Sequence, residues 1–366
     1  MQRLVPAALA ATLAALLLAA GSSSAGRPGN HYTMTGLASD LPGLAPVTDA
    51  NLQNTWGLAR GASTPWWIAN NGTASTSVYT SSGTRVDIGG QPTQGVPGDP
   101  TGAVFSGISG QFQVGTAADP TALDTSNFVF DSEDGTISAW RIGSTAAQVT
   151  VDMSSSGAVF KGLAISNGAS GPRLYATDFA QGPGHSRVDV FDGSWNPVNT
   201  PSGAFVDPRL PKHYGPFGIQ TIGDRVFVTY GKQQRGSTDE AHRRGLGIVD
   251  AYDLDGKFLG RVAQHGQLNA PWGLAWAPAS FGRFGGDLLV GNFGDGQINA
   301  YQEMPNGHFE HRGTLHAATH GKLSIDGLWA LEFGNAGSNG DPQTLFFTAG
   351  IDDEAHGLFG TITPAG

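Results

Sequence analysis

The chain contains no cysteine, which excludes a disulfide scaffold and any thiolate-ligated metal centre. Charge is also scarce. Asp, Glu, Lys and Arg make up 14% of the residues, against about 25% in ordinary globular proteins. The 20 basic residues are outnumbered by 30 acidic ones, for a formal net charge of −10. There is therefore no basic footprint of the kind that binds nucleic acid. After residue 20 no long apolar run recurs, so no membrane span is expected in the mature chain. Several catalytic signatures are missing too: no His-Glu-x-x-His helix, no Gly-x-Ser-x-Gly elbow, no Gly-rich phosphate loop ending in Gly-Lys-Ser/Thr.

What the chain has in excess is glycine, 55 of 366 residues, about 15% where about 7% is usual. It also carries 21 Pro, 8 Trp, 7 Tyr and 19 Phe, enough aromatic mass to exclude wholesale disorder. Turn residues and aromatics at this density, without helix-type patterning, point to an all-β protein with a sizeable core.

The N-terminus reads as a secretory signal peptide over residues 1–25: a basic Met1-Gln2-Arg3, an apolar stretch to Ala20, then small residues. Cleavage falls after Ala20 or Ala25. The expectation is an exported bacterial protein, periplasmic or extracellular, whose residues 26–366 form a single domain.

That domain is one motif written six times, a bulky residue or Lys, then a small residue, then Leu or Ile. It occurs at Trp56-Gly57-Leu58, Ser106-Gly107-Ile108, Lys161-Gly162-Leu163, Phe217-Gly218-Ile219, Trp272-Gly273-Leu274 and Trp329-Ala330-Leu331. After each comes a turn-rich loop and a short β-branched or aromatic run, such as Trp66–Asn70, Leu288–Asn292 and Leu345–Ala349. A third run and, in several repeats, a Gly-containing hairpin follow. Four short strands per repeat define a propeller blade. The sixth repeat ends after its third strand, while one spare strand-like segment, Tyr32–Ser39, precedes the first. The prediction is an all-β, six-bladed β-propeller closed by an N-terminal strand that completes the last blade.

Antiparallel order within a blade sends the second-to-third-strand loops and the interblade loops to one face. That face collects His185, His213, His242, His265, His316, His320 and His356, seven of the ten histidines, along with Asp131, Asp134, Asp178, Asp295 and Asp326. Two of its loops share a tetrad, Asp239-Glu240-Ala241-His242 and Asp353-Glu354-Ala355-His356. Paired carboxylates and an imidazole suit a divalent cation (Ca, Mn or Zn) or acid–base work, and equally serve as solvated loop charges. Asp239, Glu240, His242, Asp353, Glu354 and His356 are the metal candidates. Asn54, Trp56, Asp178, His213, Trp272, Asn292 and Asp326 are the ligand-binding candidates. Asn70, Asp131, Asp178 and Asn292 also fit a plainer role, capping the hairpin after the second strand. The partner is expected to be a small molecule, a glycan or a protein, and the chain a monomer.

Several stretches carry a resemblance. Asn54-Thr-Trp-Gly-Leu58, Asn269-Ala-Pro-Trp-Gly-Leu274, Leu288 to Ala300, Asp326 to Leu331 and Thr348 to Gly360 resemble a family of exported bacterial proteins of unassigned function. More distantly, the blade pattern is similar to NHL-repeat propellers and to the gluconolactonase/regucalcin-like group. The latter resemblance implies a divalent cation at the pore mouth, held by a Glu near the first inner strand with Asn and Asp ligands. The corresponding stretch here reads Asn54-Thr55-Trp56-Gly57, without the Glu, and Asp178 and Asn292 stand where the other ligands are implied. Two functions follow as expectations: a ligand- or protein-binding module using the His/Asp-rich face, or a metal-assisted, lactonase-like hydrolase or lyase at the pore mouth.

Overall fold

A computed structural model describes residues 29–319 and 321–365. Six sheets are arranged around one axis, each with its first strand innermost: Thr55–Ala59, Pro100–Phe105, Phe160–Gly168, Tyr214–Ile222, Pro271–Trp276 and Leu328–Phe333. Each inner strand touches the next, and the last touches the first, so the ring is closed. The expected closure is present. Tyr32–Ser39 pairs antiparallel with His356–Pro364 as the fourth strand of blade six, from Tyr32 opposite Pro364 to Ser39 opposite Leu358. Tyr32 is buried there between Phe281 and Phe284, with ring centroids 5.0 and 6.2 Å away.

The recurring motif has a structural meaning that spacing alone did not supply. In all six blades the ladder between the first and second strands slips at this point, as between Thr55 and Leu58 or Pro216 and Ile219. A β-bulge of this kind bends the strand and re-aims side chains. The small residue in the bulge lies against the backbone of the neighbouring blade. A Cβ on Gly218 would stand 2.2 Å from the Trp272 carbonyl oxygen, and one on Gly273 2.4 Å from that of Trp329. In blades three, four and six a threonine of the second strand fills the bulge. Thr177 Oγ1 donates to the Phe217 carbonyl of the next blade at 2.8 Å, and Thr348 Oγ1 donates across the ring closure to that of Trp56. Blade two uses Asp131 instead, fully buried, accepting from the Gly102 amide at 2.6 Å and Thr101 Oγ1 at 2.9 Å. Burial pushes its carboxyl up to about 7.

Two expectations are corrected. Blade two is built on Thr101-Gly102-Ala103, not on Ser106-Gly107-Ile108, which lies past the end of its inner strand. Gly107 has φ +49°, serving the turn that follows, while a Cβ on Gly102 would stand 2.4 Å from the Leu163 amide nitrogen of blade three. Blade three has three strands rather than four, ending at Arg187–Asp192. Beyond it Val198 donates one bond to Val190, but Pro197 and Pro201 lack the N–H that a fourth ladder needs.

Side chains alternate along the strands and interleave between blades. Trp67 stacks on Phe128 at 4.2 Å and meets Trp140 at 4.5 Å across the first interblade seam. Each such ring contributes roughly 1.5–3 kcal/mol by burial. No helix among the described residues is long and apolar enough to cross a membrane.

Gly218→Ala is expected to destabilise the protein by about 1–3 kcal/mol, because the added methyl overlaps backbone that cannot give way. Gly260→Ala meets open space and should leave stability nearly unchanged in the same urea titration.

Candidate functional site

The axis is plugged at its centre by aromatic members of the motif. Trp56 and Trp329 stack at 3.5 Å with their planes 19° apart, and Phe293 stacks on the other face of Trp329 at 3.9 Å. Trp272 meets both Trp56 and Trp329 edge-on. Their polar handles are all satisfied, as buried indoles require. Trp56 Nε1 donates to Asn54 Oδ1 at 2.9 Å, Trp329 Nε1 reaches the same oxygen at 3.3 Å, and Trp272 Nε1 donates to the Lys161 carbonyl at 2.8 Å. Asn54 takes φ +45° to make this junction, a conformation Asn tolerates better than most residues.

Above the plug, on the face with the second-to-third-strand loops, lies a cavity of about 350 Å³ with a mostly polar lining. Lys161 occupies the bulky motif position in blade three, where four other blades carry Trp or Phe. Its side chain is 3% exposed, with the ammonium 2.5 Å from Glu133 Oε1 and 5.1 Å from the Trp56 ring centroid. Desolvation opposes its charge, yet Glu133, Glu240 and Asp239 together hold the Lys161 pKa above its ordinary value. Glu133 also accepts from Asn71 at 3.0 Å, and Asn54 Nδ2 bridges Asn71 and Glu354, 3.1 Å from each.

The loop of blade four contributes Glu240, whose Oε1 lies 2.9 Å from His242 Nε2. That bond raises the His242 pKa, against some desolvation, and the imidazole stands edge-on to Phe293 at 5.0 Å. Glu354 enters from blade six. Burial raises its pKa, the Asn54 hydrogen bond opposes this, and the Glu240 and Glu133 carboxylates add to it. Three consecutive residues, Asp352, Asp353 and Glu354, hold left-handed backbone with φ of 58°, 51° and 64°. Such conformations cost roughly 1–2 kcal/mol each outside glycine. The segment is held by Asp326, which accepts from the Asp352 amide at 2.8 Å.

The structure sorts the sequence candidates. Asn54, Trp56, Asp239, Glu240, His242 and Glu354 meet at this mouth. The two tetrads are not equivalent, because His356 turns away to Asp40 at 2.7 Å and Asp353 is exposed. Asp178 is buried against His185 Nδ1 at 2.6 Å and accepts from the Val159 and Ala180 amides. Asn292 ties the Asn269 amide, the Gln267 carbonyl and Asp295 together. Both are therefore caps and not mouth ligands. Asp326 acts through its backbone contact, and exposed His213, at φ +65°, accepts from the Gln233 amide through its carbonyl. Trp272 closes the plug from below. His320 and the expected signal peptide over residues 1–25 lie outside the described residues.

Among the described residues no three His, Asp or Glu side chains are grouped so as to hold one metal ion. The carboxylates of the mouth are instead engaged with Lys161, His242 and Asn54. Sequence reasoning missed Asn71, Glu133 and Phe293, and treated Lys161 and Trp329 only as motif residues. The signal for Lys161 was present, since it is the one charge in a series of aromatics.

Fold and site together define a six-bladed β-propeller with a polar axial mouth over an aromatic plug. No protein-family model matches the chain. Among solved structures it is similar to a PQQ-bound aldose sugar dehydrogenase from Streptomyces coelicolor, at TM-score 0.53 and 12% identity over 92% of this chain and 99% of that one. It is also similar to a streptogramin B lyase, at TM-score 0.50 and 10% identity over 92% and 98%. At these identities the likeness is one of fold. The chain belongs to the family of the uncharacterized proteins R648 and L690 of Acanthamoeba polyphaga mimivirus. It is 31% identical to the first over 89% of this chain and 78% of the relative, and 30% identical to the second over 87% and 82%. These relatives are viral and add nothing to the expected bacterial origin.

His242 is expected to titrate above the ordinary histidine value of 6.5 in a histidine NMR titration, and Glu240→Gln to bring it back down. The ion pair then adds stability that is complete below pH 6.5 and is lost as pH rises through the folded-state value.

Proposed function

We propose that this chain is an exported propeller that binds a small polar ligand, a metabolite or a single sugar unit, in the axial mouth of its loop face. The observation that carries the reading is the convergence of loops from blades one, two, four, five and six on one cavity. There an ion pair, a carboxylate–imidazole pair and a third carboxylate with a raised pKa stand over a rigid aromatic floor. A few convergent polar groups in a concave, preformed site are the usual mark of small-molecule recognition. The floor is locked by stacking and by indole hydrogen bonds, so a ligand meets groups already in place and little ordering entropy opposes binding.

A second reading is an enzyme at the same mouth. It is favoured by Glu354 and His242, which both hold protons more tightly than usual and so suit general acid–base work on a hydrolase or lyase substrate. A metal-assisted version needs a cation site that the described side chains do not assemble.

The test is ligand-observed NMR with glucose, xylose, glucosamine and gluconate, followed by thermal shift. Under the binding reading, a compound that raises the melting temperature does so through the mouth, so Lys161→Met and Glu354→Gln abolish the shift while exposed His308→Ala retains it. Equal effects from variants on both faces, or binding that survives both mouth variants, count against it. A shift on adding Ca²⁺, Mn²⁺ or Zn²⁺ that disappears in Glu240→Gln favours the metal-assisted enzyme.

Export is tested separately by cell fractionation of chains with and without residues 1–25. The full chain is expected outside the cytoplasm and the shortened chain inside it. Cytoplasmic recovery of both would overturn export.

A further inference from the structure

The other end of the axis is built differently. Below the plug, the third residue of each inner-strand motif, Leu58, Ala103, Leu163, Ile219, Leu274 and Leu331, lines a narrow void of about 30 Å³, with Gln220 and Glu332 supplying its polar surface. The void leads into a vestibule of about 430 Å³ on the face opposite the mouth. Glu332 lines both spaces, and Arg60, Gln220, Thr221 and Asn335 join it around the vestibule, with Phe105 and Val104 as apolar wall.

The charged pair is held in a way that leaves binding capacity unused. Arg60 Nε donates to the Phe333 carbonyl at 2.8 Å and stands 3.3 Å from Glu332 Oε1. Its guanidinium lies 5.6 Å from the Trp66 ring centroid, which fixes the plane. The Glu332 carboxyl receives no hydrogen bond from the described residues, and Thr221 Oγ1 is buried without a partner. Unmet polar groups beside these aliphatic side chains are costly unless a guest or water supplies their partners.

We propose that this vestibule binds a small amphipathic monocarboxylate, with its carboxylate on Arg60 and beside Glu332 and Thr221, and its hydrocarbon chain directed toward the leucine-lined void. An organic cation is disfavoured because the guanidinium stands at the entrance. A phosphate would want more than one cation and has no use for the apolar wall. A planar carboxylate with an alkyl tail uses both.

The pairing has a built-in pH dependence. Burial raises the Glu332 carboxyl to about 7, with Arg60 pulling the other way. The fifth of its side chain that stays exposed faces the cavity. Arg60 is the charged group that faces it among the described residues, the other polar neighbours being Gln220, Thr221 and Asn335. Below pH 7 a neutral Glu332 donates a hydrogen bond to the guest, and above pH 7 its charge repels the guest and claims Arg60.

The experiment is calorimetric titration of the whole protein with hexanoate, using hexan-1-ol and hexylamine as comparisons. Saturable hexanoate binding is expected at pH 6, about tenfold weaker at pH 8 as the protonated fraction of Glu332 falls. Arg60→Met should abolish it. Glu332→Gln should keep binding and flatten the pH dependence, and His308→Ala should change nothing. Should Arg60→Met fail to fold, Gln220→Trp narrows the vestibule without touching the ion pair and should weaken hexanoate binding. The proposal is overturned by absence of saturable hexanoate binding at pH 6, by equal affinity for the alcohol or the amine, or by binding that persists in Arg60→Met or Gln220→Trp.

Discussion

Everything in this molecule depends on how closely one inner strand lies against the next. In five blades the bulge of the first strand brings a glycine onto the backbone of the neighbouring blade, so close that even a methyl group would overlap backbone atoms, and in the sixth the small residue is Ala330. These contacts draw the sheets in until Trp56, Lys161, Phe217, Trp272 and Trp329, the bulky residues before five of the bulges, gather at the axis. The bulge thereby produces the plug as well as the ring. A side chain at Gly57, Gly102, Gly162, Gly218 or Gly273 would push two blades apart and loosen the aromatic stack that the mouth rests on. This also locates part of the glycine excess: five of those residues are structural contacts, while many others serve turns with positive φ.

The plug divides one axial passage into two environments. On the loop side the lining is carboxylate, amide, imidazole and ammonium, with Lys161 and His242 offsetting part of the charge of Glu133, Asp239, Glu240 and Glu354. On the other side a collar of aliphatic residues leads to a single arginine–glutamate pair. The same three-residue motif generates both, because its first residue faces the plug and its third faces the collar. A substitution in one motif therefore alters a binding surface on each face of the protein.

Much of the fold was legible in the sequence, because a propeller repeats its hydrogen-bonding needs. Tyr32–Ser39, Trp66–Asn70 and Leu288–Asn292 were placed residue for residue, since turn residues bound each run. Blade two misled because Ser106-Gly107-Ile108 imitates the motif while the true bulge, Thr101-Gly102-Ala103, lacks its bulky first residue. The mouth was half legible. Carboxylates near a repeated Asp-Glu-Ala-His tetrad stood out, but which of them faces the axis depends on the handedness of three consecutive residues, Asp352 to Glu354, and composition carries no trace of that. Glu133 and Asn71 were missed for a related reason. Each is an ordinary loop residue until Lys161 and Asn54 are brought beside it.

The strand Tyr32–Ser39 joins the two ends of the chain, and this has a kinetic consequence. Pairing Tyr32 with Pro364 joins residues 332 positions apart, close to the full span of the described chain. Its loop-closure entropy must be met before the contact yields any stabilisation, so such pairing forms late and slowly. Until then the strand His356–Pro364 has a bare edge, and the first and sixth blades lack the contact across which Thr348 reaches the Trp56 carbonyl. Trp56 and Trp329, which stack on each other at 3.5 Å, lie on opposite sides of that seam. The mouth therefore rests on a stack that exists only where the first and sixth blades meet, beside the strand that ties residues distant in sequence into one sheet.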